Sequence, residues 1–259
     1  MAVRQYSRVF AQYARLHLKT AIEYRAAFWS QTIFMFFNDV LFVLTLFFLF
    51  GALGELNGYG FRTAAIIFAF AALSVGWFSL FFSGAEKLFD SIIDKKFDFF
   101  LLLPIDEVFH SAISKTSYDA VGDIVLGIVM FLWLIPEHFF LAVALSFVGT
   151  IIIGSFHVLF NSLAFYLERP RQLVRSLSRF VIAGGSWPAD AFSQPARLFL
   201  YFSTMAFITM VPYHLVEMFN WSVLAKLLFV AGFVFFTSFV IFKASLRRYE
   251  SGNVFAARG

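Results

Sequence analysis

Long apolar runs separated by short polar breaks dominate the chain. Residues 28–50, 64–82, 118–135, 139–167 and 221–242 are each long and apolar enough to cross a bilayer core, which takes about 20 residues of helix. A weaker stretch follows residue 171. Arg175 and Arg179 sit in its first turns, and Gly184, Gly185 and Pro188 interrupt it. A charge at bilayer depth costs about 2.5–3.5 kcal/mol on insertion scales, so both arginines belong near an interface or against protein. Residues 187–212 are apolar again but carry Pro188, Pro195 and Pro212, and proline breaks a straight helix. The pattern predicts an all-α integral membrane protein, one domain over 1–259. It has six transmembrane helices and a re-entrant helical hairpin at 191–213, within a region 187–213, entering from the outer side before the last span.

Two segments carry helical periodicity without spanning length. In residues 1–26, Phe10, Ala14, Leu18 and Ile22 recur every four positions, and Arg8, Gln12, Arg15, Lys19 and Glu23 occupy the other side. This is the pattern of an amphipathic helix lying in the membrane interface, rather than of a secretory leader. Between spans two and three, residues 87–104 place Leu88, Ile92 or Ile93, Lys96 and Phe100 on one helical face and Asp90, Asp94 and Asp98 on another. A short helix there fits either a docking site for a soluble partner or an interfacial helix resting on lipid.

Charge fixes the expected orientation. Of the 20 Lys and Arg residues, only Arg62, Arg197 and Lys226 fall on the outer side of six alternating spans. The rest cluster at the start, around Lys87, Lys95, Lys96 and Lys115, around Arg169–Arg179, and after Lys243. Positive charge stays in the cytoplasm on insertion, so both termini are expected there. The formal charge of +4 then reads as orientation charge at an inner leaflet, and no nucleic-acid partner is expected. Composition agrees: 61% hydrophobic, 14% charged, 40 Phe and a mean hydropathy of +0.81. The chain has no Cys, which excludes disulfides and thiolate metal sites.

Several chemistries lack their motifs. The sequence holds no GxxxxGK[ST] phosphate loop, no HExxH and no GxSxG. The five His are scattered, so no catalytic residue and no metal site is expected. His157 reads as a packed hydrogen-bonding residue, and Asn220-Trp221-Ser222 matches a glycosylation acceptor only as a short pattern. Polar residues inside spans stand out more. Asn38 and Asp39 lie mid-way along the first span, where a carboxyl implies a pathway, an ion pair, a protonation site or an interhelical hydrogen bond. Asp119 and Asp123, four residues apart near the inner end of the third span, are candidates to pair with Arg175 or Arg179.

The order of these pieces resembles the permease subunits of type-2 ATP-binding-cassette exporters. A closer likeness is to a bacterial six-span subgroup with an ending like Leu246-Arg-Arg-Tyr-Glu-Ser-Gly-Asn253. Ile93-Asp94, Leu101-Leu102-Leu103-Pro104 and Val211-Pro212 fit that layout too. The resemblance implies export across a bacterial cytoplasmic (inner) membrane by two permeases, identical or paralogous, with a separate ATPase that carries ATP and Mg. This chain would hold no cofactor and would not itself be an enzyme. It makes the start a connecting helix and 87–104 a coupling helix that meets the ATPase through Asp90, Ile93, Asp94, Phe97, Leu101 and Pro104. It makes Trp187, Phe192, Phe199, Tyr201 and Phe202 candidates for an external gate, although an aromatic interface belt explains them as well. Asn38 and Asp39 have no assigned role in that pattern. The competing reading is a proton-coupled carrier or channel that uses Asp39, Asp119 and Asp123.

Overall fold

A computed structural model describes residues 2–102, 104–167 and 171–249. Glu168, Arg169, Pro170, Leu103 and the Glu250–Asn253 part of the family-like ending lie outside the described residues. The described residues are mainly helical, and the only β pairing among them is one bridge between Leu56 and Tyr59.

Among the described residues twelve α-helices follow in order: α1 (Ala2–Glu23), α2 (Arg25–Leu53), α3 (Phe61–Glu86), α4 (Leu88–Ile93), α5 (Asp98–Leu101), α6 (Glu107–Ile113), α7 (Ala120–Leu134), α8 (Phe139–Asn161), α9 (Arg171–Gly185), α10 (Gln194–Phe202), α11 (Ala206–Glu217) and α12 (Trp221–Leu246). Four of them, α2, α3, α8 and α12, are long and apolar enough to cross a membrane, and α10 with α11 makes a fifth if the bent pair counts as one span. The expected count of six is therefore not reproduced. Helix α7 is apolar but has only 15 residues. Helix α9 also has 15 residues, about 22 Å at 1.5 Å per residue, against a core of about 30 Å.

Helix α3 is the axis of the bundle. It is buried almost without interruption from Ala64 to Ser74 and packs on α7, α8, α11 and α2, while α12 lies mainly against α8. Close approach depends on glycine, as is usual where lipid supplies no hydrophobic drive between helices. A Cβ on Gly122 of α7 would come within 2.6 Å of the Thr32 carbonyl of α2. One on Gly84 of α3 would strike the Ser111 carbonyl of α6.

The helix ends sort by charge. At one end, called here the basic end, α3 kinks at Phe82 (φ −133°, ψ 20°). Two carbonyls beside the kink accept outside donors, Ser79 from the Ser117 amide at 3.0 Å and Leu80 from the Thr116 hydroxyl. Such insertion into the backbone ladder is a normal cause of a kink. At the opposite end Arg62 pairs with Glu217 at 3.1 Å and also donates to the Leu134 carbonyl. Asn220 caps α12 by accepting from the Ser222 amide at 2.8 Å, so the apparent acceptor triplet is a helix start.

Candidate functional site

The stretch between α3 and α7 is a folded shoulder at the basic end, not one amphipathic helix. Helix α4 stops at Asp94 because Lys95 turns left-handed (φ +57°). The Lys96 amide then reaches the Ser91 carbonyl at 2.9 Å, and the Lys95 amide reaches Ile92 at 3.2 Å. These two bonds form the Schellman pattern, with lysine where glycine is usual. Asp106 restarts the chain as the cap of α6, its Oδ1 accepting from Val108 and Phe109 at 3.0 Å each. Lys243 of α12 lies 2.6 Å from both Asp106 and Glu107.

This geometry redistributes the expected coupling residues. Phe97 is 0% exposed and belongs to a small core with Leu88, Ile92, Val108 and Phe242, its ring 5.7 Å from that of Tyr249. Asp90 and Asp94 face α9: Arg171 lies 3.1 Å from Asp90 and 3.8 Å from Asp94, and Arg175 lies 3.9 Å from Asp90. Both guanidinium groups also sit 5.8 Å from the Phe89 ring centre, within cation–π range. Ile93 is half-buried. The outward surface is instead Asp94–Lys96, Phe99, Leu101, Leu102 (82% exposed) and Pro104. The periodicity reads 87–104 as one helical register, whereas the helix breaks at Lys95.

Asn161, fully buried at the end of α8, joins the shoulder to the bundle. Its Nδ2 donates to the Ala85 carbonyl at 2.6 Å, and its Oδ1 accepts from the Phe89 amide at 3.1 Å. Helix α1 docks beside it through a seam that periodicity of apolar residues alone does not reveal. Tyr6 accepts from the Asp106 amide at 3.1 Å, the Tyr13 hydroxyl lies 2.7 Å from His110 Nε2, and His17 Nε2 lies 3.3 Å from the Ile113 carbonyl. Tyr6, Tyr13 and His17 recur at helical spacing, which was the available signal. Leu18 and Ile22 stay exposed, free to meet lipid. Burial pushes the Tyr13 hydroxyl up and the His110 imidazole down from their ordinary values. A cavity of about 280 Å³ lies between α1 and the bundle, lined by Phe10, Tyr13, His17, Phe81 and Tyr118 among others.

Inside the bundle, the expected pairing of Asp119 or Asp123 with Arg175 or Arg179 is not what forms. Asp123 of α7 lies beside Asp39 of α2, both buried, where Gly122 lets the two helices close. Asp119 caps α7 by accepting from the Ala120 amide at 3.1 Å. Arg175 is taken by Asp90, and Arg179 has no ion pair among the described residues. Asn38 is exposed, and its side chain hydrogen-bonds the neighbouring Asp39 carboxyl. One turn further on, Phe42 packs on Trp187 with ring centres 6.1 Å apart. His157 is a packed residue as expected, stacked 4.6 Å from Phe78 and 3.5 Å from the Ser178 hydroxyl.

At the opposite end, α10 and α11 meet at 101°. Thr204 turns left-handed at the bend (φ +63°), and the Thr209 hydroxyl donates to the Gly185 carbonyl. Asp190 collects the region, with His214 Nε2 2.8 Å and the Tyr201 hydroxyl 3.3 Å from its Oδ2. Asn57 of the α2–α3 loop donates to the Ala191 carbonyl at 2.8 Å. Nearby Tyr59 has its hydroxyl pushed up, first by burial and then by the Asp190 charge. Among the gate candidates Tyr201 and Trp187 are thus anchored. Phe192, Phe199 and Phe202 (91% exposed) present open rings. Asp190 and His214 were missed because the residues that meet are 24 apart and separated by two prolines.

Comparison with known proteins adds one result. A family model described as "ABC-2 family transporter protein" matches residues 35–253. No curated protein and no solved structure matches the chain.

Proposed function

The chain belongs to the ABC-2 family of transporter proteins, and on that premise we propose that it is the permease subunit of an ATP-driven exporter. Two permeases, identical or paralogous, enclose the pathway. A separate ATPase binds at the basic end and carries the ATP and Mg, so this chain performs no hydrolysis itself. The basic end and both termini are cytoplasmic, and the membrane is a bacterial cytoplasmic membrane.

The observation that carries this reading is the exposed tip of the shoulder, Phe99, Leu101, Leu102 and Pro104, beside the charged Asp94–Lys96 turn. An apolar patch with a charged rim suits a protein partner. The shoulder behind it is braced by Asn161, Lys243 and Arg171, each on a different long helix or its flank. A push at the tip therefore passes as a rigid displacement into α8, α12 and α9, the hinge-and-shear type of transmission. Leu102→Asp is expected to abolish co-purification with the ATPase while leaving the detergent-solubilised permease as thermally stable as before. Phe97→Arg serves as the contrast, since it breaks the shoulder core itself. ATP-driven uptake into inside-out vesicles tests the export direction. Retained ATPase binding and transport in Leu102→Asp would remove the coupling role from this tip.

One observation favours the competing carrier reading. Asp39 and Asp123 bring two carboxyl groups together inside the membrane, the kind of pair proton-linked transport employs. Transport driven by a proton gradient without ATP, and lost in Asp39→Asn, would decide for it.

A further inference from the structure

Helix α9 is two-faced at a depth where most helices are apolar all round. Val174, Ser178, Val181 and Gly185 point into the bundle. Gln172, Arg175, Ser176, Arg179 and Ala183 form the exposed side, at intervals of three and four residues that keep them on one stripe. Ser178 contacts His157, which stacks on Phe78 within the bundle, so the middle of α9 is well inside the protein layer. Arg179 is eight residues beyond Arg171, about 12 Å along the axis from the ion pairs at the basic end.

The arginines on this helix are not equivalent. Arg171 and Arg175 are neutralised by Asp90 and Asp94 and stacked on Phe89. Arg179 is exposed with no acidic partner among the described residues. A polar, cationic stripe of this length cannot rest against acyl chains and needs a water-lined space. Immediately next to Arg179, Phe180 is half exposed and lies 6.1 Å from the ring of Phe199. Leu198 and Phe202 continue that apolar surface along α10. Asn38 on α2, exposed and hydrogen-bonded to Asp39, lies one turn from Phe42, which packs on Trp187 just beyond the end of α9.

We propose that this face binds an anionic amphiphile, with Arg179 holding its phosphate or carboxylate headgroup and Phe180, Phe199, Leu198 and Phe202 receiving its tail. The proposal rests on the permease reading for its meaning as a substrate site, but binding itself does not. Guanidinium is suited to this task because it stays charged and offers paired donors to a planar or tetrahedral anion. The charge is left over after the structural ion pairs of the same helix are complete, which separates it from orientation charge.

The test uses the full-length permease in nanodiscs of zwitterionic phosphatidylcholine, with dodecyl phosphate, dodecyl maltoside and dodecyltrimethylammonium as probes of equal tail length. Binding of dodecyl phosphate is expected to be tightest. Arg179→Gln should weaken it about tenfold or more without changing dodecyl maltoside binding, as the loss of a charge-assisted contact predicts. Arg179→Lys should restore part of the affinity, and it serves in place of the glutamine variant if that one does not fold. Equal binding of the three probes, or equal loss for the phosphate and the maltoside, would overturn the proposal. Nanodiscs containing phosphatidylglycerol separate a resident lipid from a free amphiphile: competition by that lipid makes the bilayer the source of the headgroup. Co-reconstituted ATPase supplies the independent arm. Failure of any ATPase to associate would defeat the permease reading while leaving the binding result standing.

Discussion

Arg171 reaches Asp90 at 3.1 Å and so ties the first turn of α9 to the helix that leaves α3. The shoulder that carries the exposed apolar tip and the helix that carries the polar stripe are thereby one mechanical unit. Both side chains are partly solvent-exposed, so the pair contributes little stability, in the range of about 0–1 kcal/mol. Its value lies in direction rather than strength. Asp90→Asn is expected to leave the thermal midpoint nearly unchanged and ATP hydrolysis by the assembled complex intact, while transport per ATP falls several-fold. The reversed pair Asp90→Arg with Arg171→Asp should recover part of the loss. Full transport in Asp90→Asn would show that the shoulder and α9 move independently.

Asn161 makes the second connection, and there stability is at stake. Its carboxamide is fully buried and satisfies one carbonyl of α3 and one amide of α4. Asn161→Ala would strand both groups, and a buried unpaired polar group costs about 1–3 kcal/mol. We expect a loss of at least about 2 kcal/mol in detergent, seen as a lower thermal midpoint and as faster proteolysis between residues 86 and 106. Asn161→Asp should behave worse than a simple isostere, since a carboxylate cannot donate to the Ala85 carbonyl.

The apolar runs made four long helices legible, because a 20-residue signal survives any local error. The bend between 191 and 213 falls in a stretch marked by Pro195 and Pro212, and the helicity of α1 follows the four-residue spacing of Phe10, Ala14, Leu18 and Ile22. What failed was each inference that required knowing which residues meet. Topology alone makes Arg175 or Arg179 a candidate partner for Asp119 or Asp123, but α4 offers Arg175 the partly exposed Asp90, where the pair costs less desolvation. The resemblance implies a docking role for Asp90 and Phe97, but the helix ends at Lys95, and the fold turns Phe97 into the core and Asp90 toward α9. Asp190 and His214 gave no local signal, since a polar pair closed by a bend belongs to the bend and not to either segment.

The left-handed Lys95 is itself testable. A side chain in this conformation costs about 1 kcal/mol relative to glycine. Lys95→Gly should therefore stabilise the end of α4, visible as slower amide exchange at Asp94 and Lys96 and a thermal midpoint that is equal or higher. Lys95→Ala keeps the strain and loses the side chain, so it separates the two contributions. A lower midpoint in Lys95→Gly than in Lys95→Ala would mean that the lysine side chain, not the backbone, sets stability at this turn.

Docking of α1 should depend on pH, and the sign follows from His110. Burial lowers the pKa of His110 below its ordinary value. The docked helix therefore favours the neutral ring, whereas the undocked state takes a proton near the usual value of about 6.5. A group whose proton affinity is reduced by docking favours the docked state at high pH and opposes it as pH falls through that range. The ring is faced by the Tyr13 hydroxyl from α1 and by the Phe99 and Phe100 rings from α5, and among the described residues it forms no ion pair with an acid. His110 Nδ1 is buried without a partner, so a second proton there would stay unpaired. The absence of cysteine makes a single label unambiguous, and Leu16→Cys on the exposed side of α1 is a suitable point. Its spin-label mobility is expected to be low at pH 8 and to rise as pH falls below about 6.5. His110→Phe should remove the pH dependence while leaving the contacts of Gln5, Tyr6, Phe10 and His17 to hold α1. A transition that persists unchanged in that variant would assign the pH response to another group.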